Sequence, residues 1–360
     1  MHLRFCWISL AVVMSLNAQT TAEAFAAVCA DQQFMGAVSI RHHGKPVFES
    51  ACGTANAEWN VANTIDTKFR IASISKQFTA ASVLLLQQEG KLKVQAAIGD
   101  FVDDLPAAWR TATIHQLLTH TSGIPNYTDE PLRQYDRLGA TPRELLAIVK
   151  DKPLMFPHGT KMAYNNMGYV LLGMLIEKVS GIPYAQFVQQ RLLSPLQMKD
   201  TGFDDAKLVL AKRAAGYQRT TSKKLENAEP VEASVPWSAG GFYSTTRDLL
   251  TWGAAVQSGA VLNKQSMEQM FQIYPETLQQ GMHYGYAIVI AERLGRRLWY
   301  HGGGITGFNS VLQMYPDDDL NIAILSNLDE SETNGTKPSW TVADLLAATI
   351  LNPKKEHKSR

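Results

Sequence analysis

At 360 residues, with 45% hydrophobic and 19% charged side chains, the chain exceeds the roughly 250–300 residues at which one hydrophobic core stops growing, so two lobes sharing a cleft are expected. Its 34 basic and 33 acidic side chains leave a formal charge of +1. That balance provides no field for nucleic acid or an anionic membrane, and it suits a small-molecule or peptide substrate.

The opening stretch, MHLRFCWISLAVVMSLNAQTTAEA, joins a short basic start (His2, Arg4) to about a dozen apolar residues and then small ones, the pattern of an export signal too short for a stable membrane span. Residues 1–24 are therefore expected to be a leader, cut after Ala18 or at the Ala22-Glu23-Ala24 triplet, and the mature protein to be periplasmic or secreted. Removing it takes away Cys6 and leaves Cys29 and Cys52. These two either pair in an oxidising compartment, closing a loop worth about 3 kcal/mol, or remain buried thiols.

GAVSIRHH and KPVFESA, split by His43-Gly44, predict a hairpin with His42 and His43 at its tip. A helix follows Ser73 in RIASISKQFTAASVLLLQQEG. From about residue 100 to 235, RELLAIVK, MGYVLLGMLIEKV and PYAQFVQQRLL space their apolar residues by three and four, which predicts an all-α lobe. Past residue 283 the period returns to two in YGYAIVIAE, RRLWYH, NSVLQMY and LNIAILS, before a closing helix in TVADLLAATIL and a solvated tail, PKKEHKSR. The fold class is α+β: residues 25–95 and 235–352 build one antiparallel sheet with its helices, residues 96–234 form the inserted helical lobe, and the site lies between them.

Ser73 and Lys76 are three apart, so a helix starting here puts both on one face. A serine hydroxyl becomes a nucleophile when a neighbouring base takes its proton, and an ammonium is no base. A helix N-terminus and burial both disfavour positive charge, which turns this lysine into a candidate general base. About one S-x-x-K is expected by chance in a chain of this size, and serine often caps helices, so the pair needs partners.

Two further segments supply them. Tyr164-Asn165-Asn166 stands in a polar loop ahead of an apolar helix, where a tyrosine near two cations can relay a proton and an asparagine amide can position a substrate. Taken alone, a tyrosine such as Tyr164 is more often an ordinary half-buried aromatic, and an asparagine such as Asn166 the cap of the next helix, than a catalytic group. RRLWYHGGGITGFNSVLQMYP runs from one strand through glycines into another. Its Gly302-x-Gly304-x-x-Gly307 matches a dinucleotide fingerprint literally, but a strand follows where that fingerprint needs a helix, so no cofactor is implied. Glycines at a sheet edge instead admit a substrate close to the backbone and free an N–H for an oxyanion hole.

Ser73-Ile74-Ser75-Lys76, Tyr164-Asn165-Asn166 and His301-Gly302-Gly303 occur in the order and approximate separations of the S-x-x-K, Y-x-N and K/H-T/G-G boxes. The chain resembles the serine β-lactamase and penicillin-binding protein superfamily, and within it the class C branch that includes D-alanyl-D-alanine carboxypeptidases, D-aminopeptidases and esterases. The similarity extends through TIHQLLTHTSGIPNY, SPLQMKDTGF and SAGGFYSTTRDLLTW, nearly the whole mature chain.

The resemblance implies a serine hydrolase in which Ser73 attacks a carbonyl and Lys76 takes its proton, while Tyr164 protonates the leaving atom. It places Asn166, His301 and Gly303 against the substrate, with the N–H groups of Ser73 and Gly304 holding the oxyanion. The substrate is expected to be a D-Ala-D-Ala-type peptide, a small ester or a β-lactam. The alternative is a penicillin-binding or sensing protein that acylates without efficient turnover. His301 stands where many β-lactamases carry lysine; a histidine titrating near neutrality would hold a substrate carboxylate less firmly. No metal motif occurs, and His115 and His120, five apart, are expected to be structural.

Overall fold

The structure is a computed structural model that describes residues 20–129, 137–277, 281–329 and 338–352. The first nineteen residues of the expected leader and the tail PKKEHKSR lie outside the described residues. Seven strands form the main sheet: β1 (Gly36–His42), β2 (Lys45–Cys52), β3 (His283–Tyr284), β4 (Val289–Arg293), β5 (Arg296–Ile305), β6 (Phe308–Tyr315) and β7 (Leu320–Ser326). Their order is β3-β4-β5-β6-β7-β1-β2, with every neighbouring pair antiparallel, so the two chain ends meet at the β7–β1 pair.

Every residue of β6 and β7 is buried. Helices on both faces bury even the polar members of these strands, Asn309, Ser310, Gln313, Asn321 and Ser326. Helices α1 (Thr21–Ala30) and α7 (Ser339–Leu351) cover one face, where Phe25, Val28, Val342 and Leu346 pack on Val38, Ile40 and Ile324. On the other lie α2 (Ser75–Gln88) and α6 (Thr246–Ser258), whose Phe78 and Trp252 rings meet edge to face. The β1–β2 turn takes positive φ at His43 and Gly44, and the His42 and His43 rings stack at its tip.

The inserted lobe is built on α3 (Ile114–Leu118), α4 (Pro142–Val149) and α5 (Asn166–Ser180). A Thr141–Glu144 capping box starts α4, and Gly181 in the left-handed region stops α5. Contrary to the all-α lobe expected from the sequence, the inserted lobe also contains strands. Residues 202–203, 217–219 and 225–227 are short strands, and Gly202–Phe203 pairs with Phe242–Ser244, which also pairs with Phe69–Arg70 just before Ser73. Runs of two or three residues carry no period to read.

Ordered structure also begins before residue 25. Thr20 and Glu23 form a capping box for α1, within which Ala22 and Glu23 are exposed and Ala24 is fully buried. Cys29 in α1 and Cys52 at the end of β2 are joined as a disulfide with Cα atoms 6.1 Å apart. No helix among the described residues is long and apolar enough to cross a membrane.

Candidate active site

Ser73 sits in a 3₁₀ turn, Ala72–Ile74, that runs straight into α2. Ala72 has φ +44°, a left-handed conformation that costs a non-glycine residue about 1–3 kcal/mol. The turn is pinned from both sides: the Ile71 N–H donates to the Phe242 carbonyl at 3.0 Å, and the Ile71 carbonyl accepts from Ser310 Oγ at 2.8 Å. No side chain caps either helical segment, so the Ser73 hydroxyl is not engaged as a cap.

Lys76, one turn on, is fully buried. Its Nζ lies 3.0 Å from Ser73 Oγ, 2.7 Å from Asn166 Oδ1 and 2.8 Å from the Ala239 carbonyl. All three neighbours are uncharged, and burial pushes the amine well below the usual lysine range. A neutral amine fits this setting closely: its two N–H groups go to Asn166 and Ala239, leaving the lone pair for the Ser73 proton.

The capping role expected for Asn166 belongs to Asn165, whose Oδ1 accepts from the Gly168 N–H at 2.7 Å. Asn166 is thereby free to hold Lys76. Its own N–H donates to Asn126 Oδ1 at 3.1 Å. Tyr164 lies over the same amine, with Lys76 Nζ 4.8 Å from the ring centroid. The cleft walls push its phenol above the ordinary tyrosine value, and the Ser73 hydroxyl offsets this only in part. Because the residue is 40% exposed, water reaching the ring reduces that push.

His301 lines the opposite wall, but not as a titrating cation. Its Nδ1 is 2.6 Å from the Gly302 carbonyl and its Nε2 is 2.8 Å from the Tyr284 hydroxyl. A carbonyl only accepts, so the proton is on Nδ1, and Nε2 accepts from Tyr284. Burial first, and then the nearby Lys76, lower His301 to about 3. The expectation of a histidine titrating near neutrality is thus overturned.

The glycines divide their roles. Pairing between β4 and β5 ends at Val289 and Tyr300, so residues 301–305 present a free edge to the cleft. Gly302 and Gly304 line it; Gly303, expected to touch substrate, does not. A Cβ at Gly303 would fall 2.2 Å from the Ile71 carbonyl oxygen and 2.9 Å from the Ser73 nitrogen. Gly303 therefore lets β5 close onto the nucleophile turn, which brings Gly304 beside Ser73 as an oxyanion donor pair requires.

Ser73, Asn166 and Gly304 are shared by two cavities. One, of about 450 Å³, is walled by Met162, Met282, Val289, Tyr300 and His301; the other, of about 210 Å³, by Thr128, Val231, Val235 and Ile305. A carbonyl held at Ser73 has room for a substituent on each side.

Tyr284 and the Ala239 carbonyl escaped the sequence reading, since neither carries a local signature. His115 is structural as expected: its ring nitrogens meet the Tyr286 hydroxyl at 2.8 Å and Glu276 at 3.1 Å. Among the described residues no cluster of three or more metal-ligating side chains occurs.

A family model described as Beta-lactamase matches residues 21–347. Protein flp of Staphylococcus aureus strain MW2 is 29% identical over 303 residues, 81% of this chain but 59% of that protein, so the chain spans little more than half of its length. Penicillin-binding protein 4* of Bacillus subtilis strain 168 is 27% identical over 83% of this chain and 69% of its own. Among solved structures, a D-stereospecific amidohydrolase from Streptomyces sp. superposes with a TM-score of 0.75 at 27% identity, covering 88% of this chain and 97% of the other.

Proposed function

The chain belongs to the Beta-lactamase family, and from that premise we propose that it is an exported serine hydrolase working through an acyl-enzyme on Ser73. Its substrate is an amide or ester that is uncharged where it meets His301. The observation that carries this reading is Lys76: a fully buried amine 3.0 Å from Ser73 Oγ with only uncharged hydrogen-bond partners.

Ser73 Oγ bonds to the carbonyl carbon while its proton passes to the Lys76 amine. The N–H groups of Ser73 and Gly304 stabilise the oxygen that gains the charge, where losing one such donor typically costs about 10²–10³ in rate. Tyr164 gives its proton to the leaving nitrogen or oxygen as that bond breaks, and the Lys76 ammonium restores the phenol. Water then adds to the acyl carbon and gives one proton to the same groups, which pass it to Ser73 Oγ as the bond from that oxygen to the acyl carbon breaks and the acid is released. Asn166 holds Lys76 and orients the substrate.

Export is supported by the apolar start of the chain and by a disulfide, which persists in an oxidising compartment. The capping box at Thr20–Glu23 favours cleavage after Ala18 over cleavage inside the helix. The name of the Bacillus subtilis relative supports the alternative of slow turnover. Incubation with a fluorophosphonate and with a fluorescent penicillin tests both. Labelling lost in Ser73→Ala supports the acyl-enzyme, and no Ser73-dependent labelling by either probe overturns it. A penicillin label that persists without turnover favours the sensing alternative.

A further inference from the structure

His120 is fully surrounded by the catalytic cluster, yet it touches neither Ser73 nor Lys76 in the steps above. It lies just after α3 with φ +59°, in the left-handed region. From there it holds three consecutive residues of the tyrosine loop. Its carbonyl accepts from the Ala163 N–H at 3.0 Å, its Nδ1 accepts from the Asn165 N–H at 3.1 Å, and its ring lies 4.3 Å from the Tyr164 ring.

Because Nδ1 accepts, the imidazole proton is on Nε2. That Nε2 is buried and has no hydrogen-bond partner among the described residues; its surroundings include the Tyr164, Tyr169 and Tyr284 rings. A buried unpaired donor typically costs about 1–3 kcal/mol, a cost that a phenylalanine of similar shape would avoid. The same phenylalanine would leave the buried Asn165 N–H without its acceptor, so the histidine exchanges one unpaired donor for another and its value lies in where it holds the loop. The residue makes sense if the acceptor at Nδ1 and the flat ring are both needed, one to set the backbone of the loop and the other to set the angle of the phenol.

We propose that His120 is a positioning residue for Tyr164, clamping the loop from Ala163 to Asn165 so that the phenol faces the leaving atom. The inference rests on the proton relay proposed above and adds a group to it. If Tyr164 matters because it protonates the leaving atom, damage to its placement falls on substrates whose leaving group needs that proton. It spares substrates whose leaving group departs as a stable anion.

Two variants separate the contributions. His120→Asn tolerates the left-handed backbone and keeps an acceptor near Nδ1, but has no ring to stack. His120→Phe keeps a ring and loses the acceptor. The wild type and both variants are assayed on a p-nitrophenyl ester and a p-nitroanilide of the same acyl group, with Tyr164→Phe as reference and a thermal melt of each protein.

A misplacement of about 1 Å can cost about 10²-fold in rate. Both variants are expected to lose about 10–100-fold in kcat/KM, which reports acylation, on the anilide and less than about threefold in kcat/KM on the ester, with no further anilide loss when combined with Tyr164→Phe. Equal losses on the two substrates, or none on the anilide, overturn the proposal, whatever happens to the melting temperature. If the wild type itself turns over neither substrate and Ser73 takes no fluorophosphonate, the hydrolase reading fails and this inference falls with it.

Discussion

The Tyr284 hydroxyl donates to His301 Nε2 at 2.8 Å while His301 Nδ1 faces the Gly302 carbonyl, so both nitrogens of the ring that lines the cleft are occupied and the ring is neutral. None of the described residues walling the larger cavity is a lysine or arginine. A substrate carboxylate placed against His301 meets a neutral ring and gives up hydration there.

The resulting prediction compares one D-Ala-D-Ala peptide in two forms, with a free terminal carboxylate and with a terminal amide. The wild type should favour the amide by at least about tenfold in kcat/KM, equivalent to about 1.4 kcal/mol. His301→Lys, which restores a cation, should move the preference toward the carboxylate. A wild-type preference for the free acid would show that the neutral pair does not set selectivity.

The second prediction concerns pH. Burial depresses Lys76, and the base form is the active one, so kcat/KM should rise with pH through a value well below 10.5 and then stay level. His301, at about 3, contributes nothing to that rise, and Tyr164, raised above its ordinary value, imposes no fall below pH 10. Lys76→Arg installs a cation that does not deprotonate, and should cost at least about 10³-fold. Activity that climbs only near pH 10 would mean that the amine is an ordinary charged lysine.

How much of this was legible in the sequence follows from distance along the chain. Ser73 and Lys76 are one helical turn apart, so their meeting is a local property, and the alternating strands after residue 283 announced the sheet. The Tyr284–His301 contact spans 17 residues and two strand connections, and Lys76 reaches the Ala239 carbonyl across 163 residues. Neither leaves a periodic trace. The histidine at 301 was found by its box, but its charge state depends on a tyrosine that only the folded sheet brings beside it. His120 was visible as a residue and invisible as a clamp, because what it grips lies 43 to 45 positions away.

The third prediction tests the close approach of β5 to the nucleophile. Gly303→Ala places a methyl group 2.2 Å from the Ile71 carbonyl oxygen and 2.9 Å from the Ser73 nitrogen, both backbone atoms with little room to move. The strand must retreat, taking Gly304 with it. Acylation of Ser73 should slow by about 10²-fold or more, the scale of a lost oxyanion donor, while circular dichroism still reports a folded protein. Unchanged acylation would remove Gly304 from the oxyanion site.

The fourth concerns the disulfide between α1 and β2. Cys29 and Cys52 are 23 positions apart, and closing such a loop is worth about 3 kcal/mol in the chain-entropy model. Cys29→Ala with Cys52→Ala should lower the melting temperature by several degrees and make it insensitive to reductant. Turnover should be little affected, since the bridge lies in the core behind the sheet with Phe25 and Phe34 rather than at the cleft. A wild-type melt that reductant does not move would argue that the bridge contributes nothing.

The last prediction reads His301 through stability. Its folded pKa, about 3, lies below the ordinary histidine value of 6.5, so between those limits the unfolded chain binds a proton that the native protein does not. Stability is therefore full above pH 6.5 and declines as the pH falls toward 3. At about 1.4 kcal/mol per unit, lowering the pH from 6.5 to 4.5 costs roughly 3 kcal/mol from this residue, as an upper bound. His301→Gln still accepts from Tyr284 but does not titrate, so it should lose less stability over the same interval, by up to that amount. His120, also buried and lowered, contributes in the same direction to both proteins, and because part of its lowering comes from His301 the comparison reads His301 together with that coupling. Denaturant midpoints at the two pH values measure the difference, and identical losses in wild type and variant would mean that His301 is protonated in the native cleft.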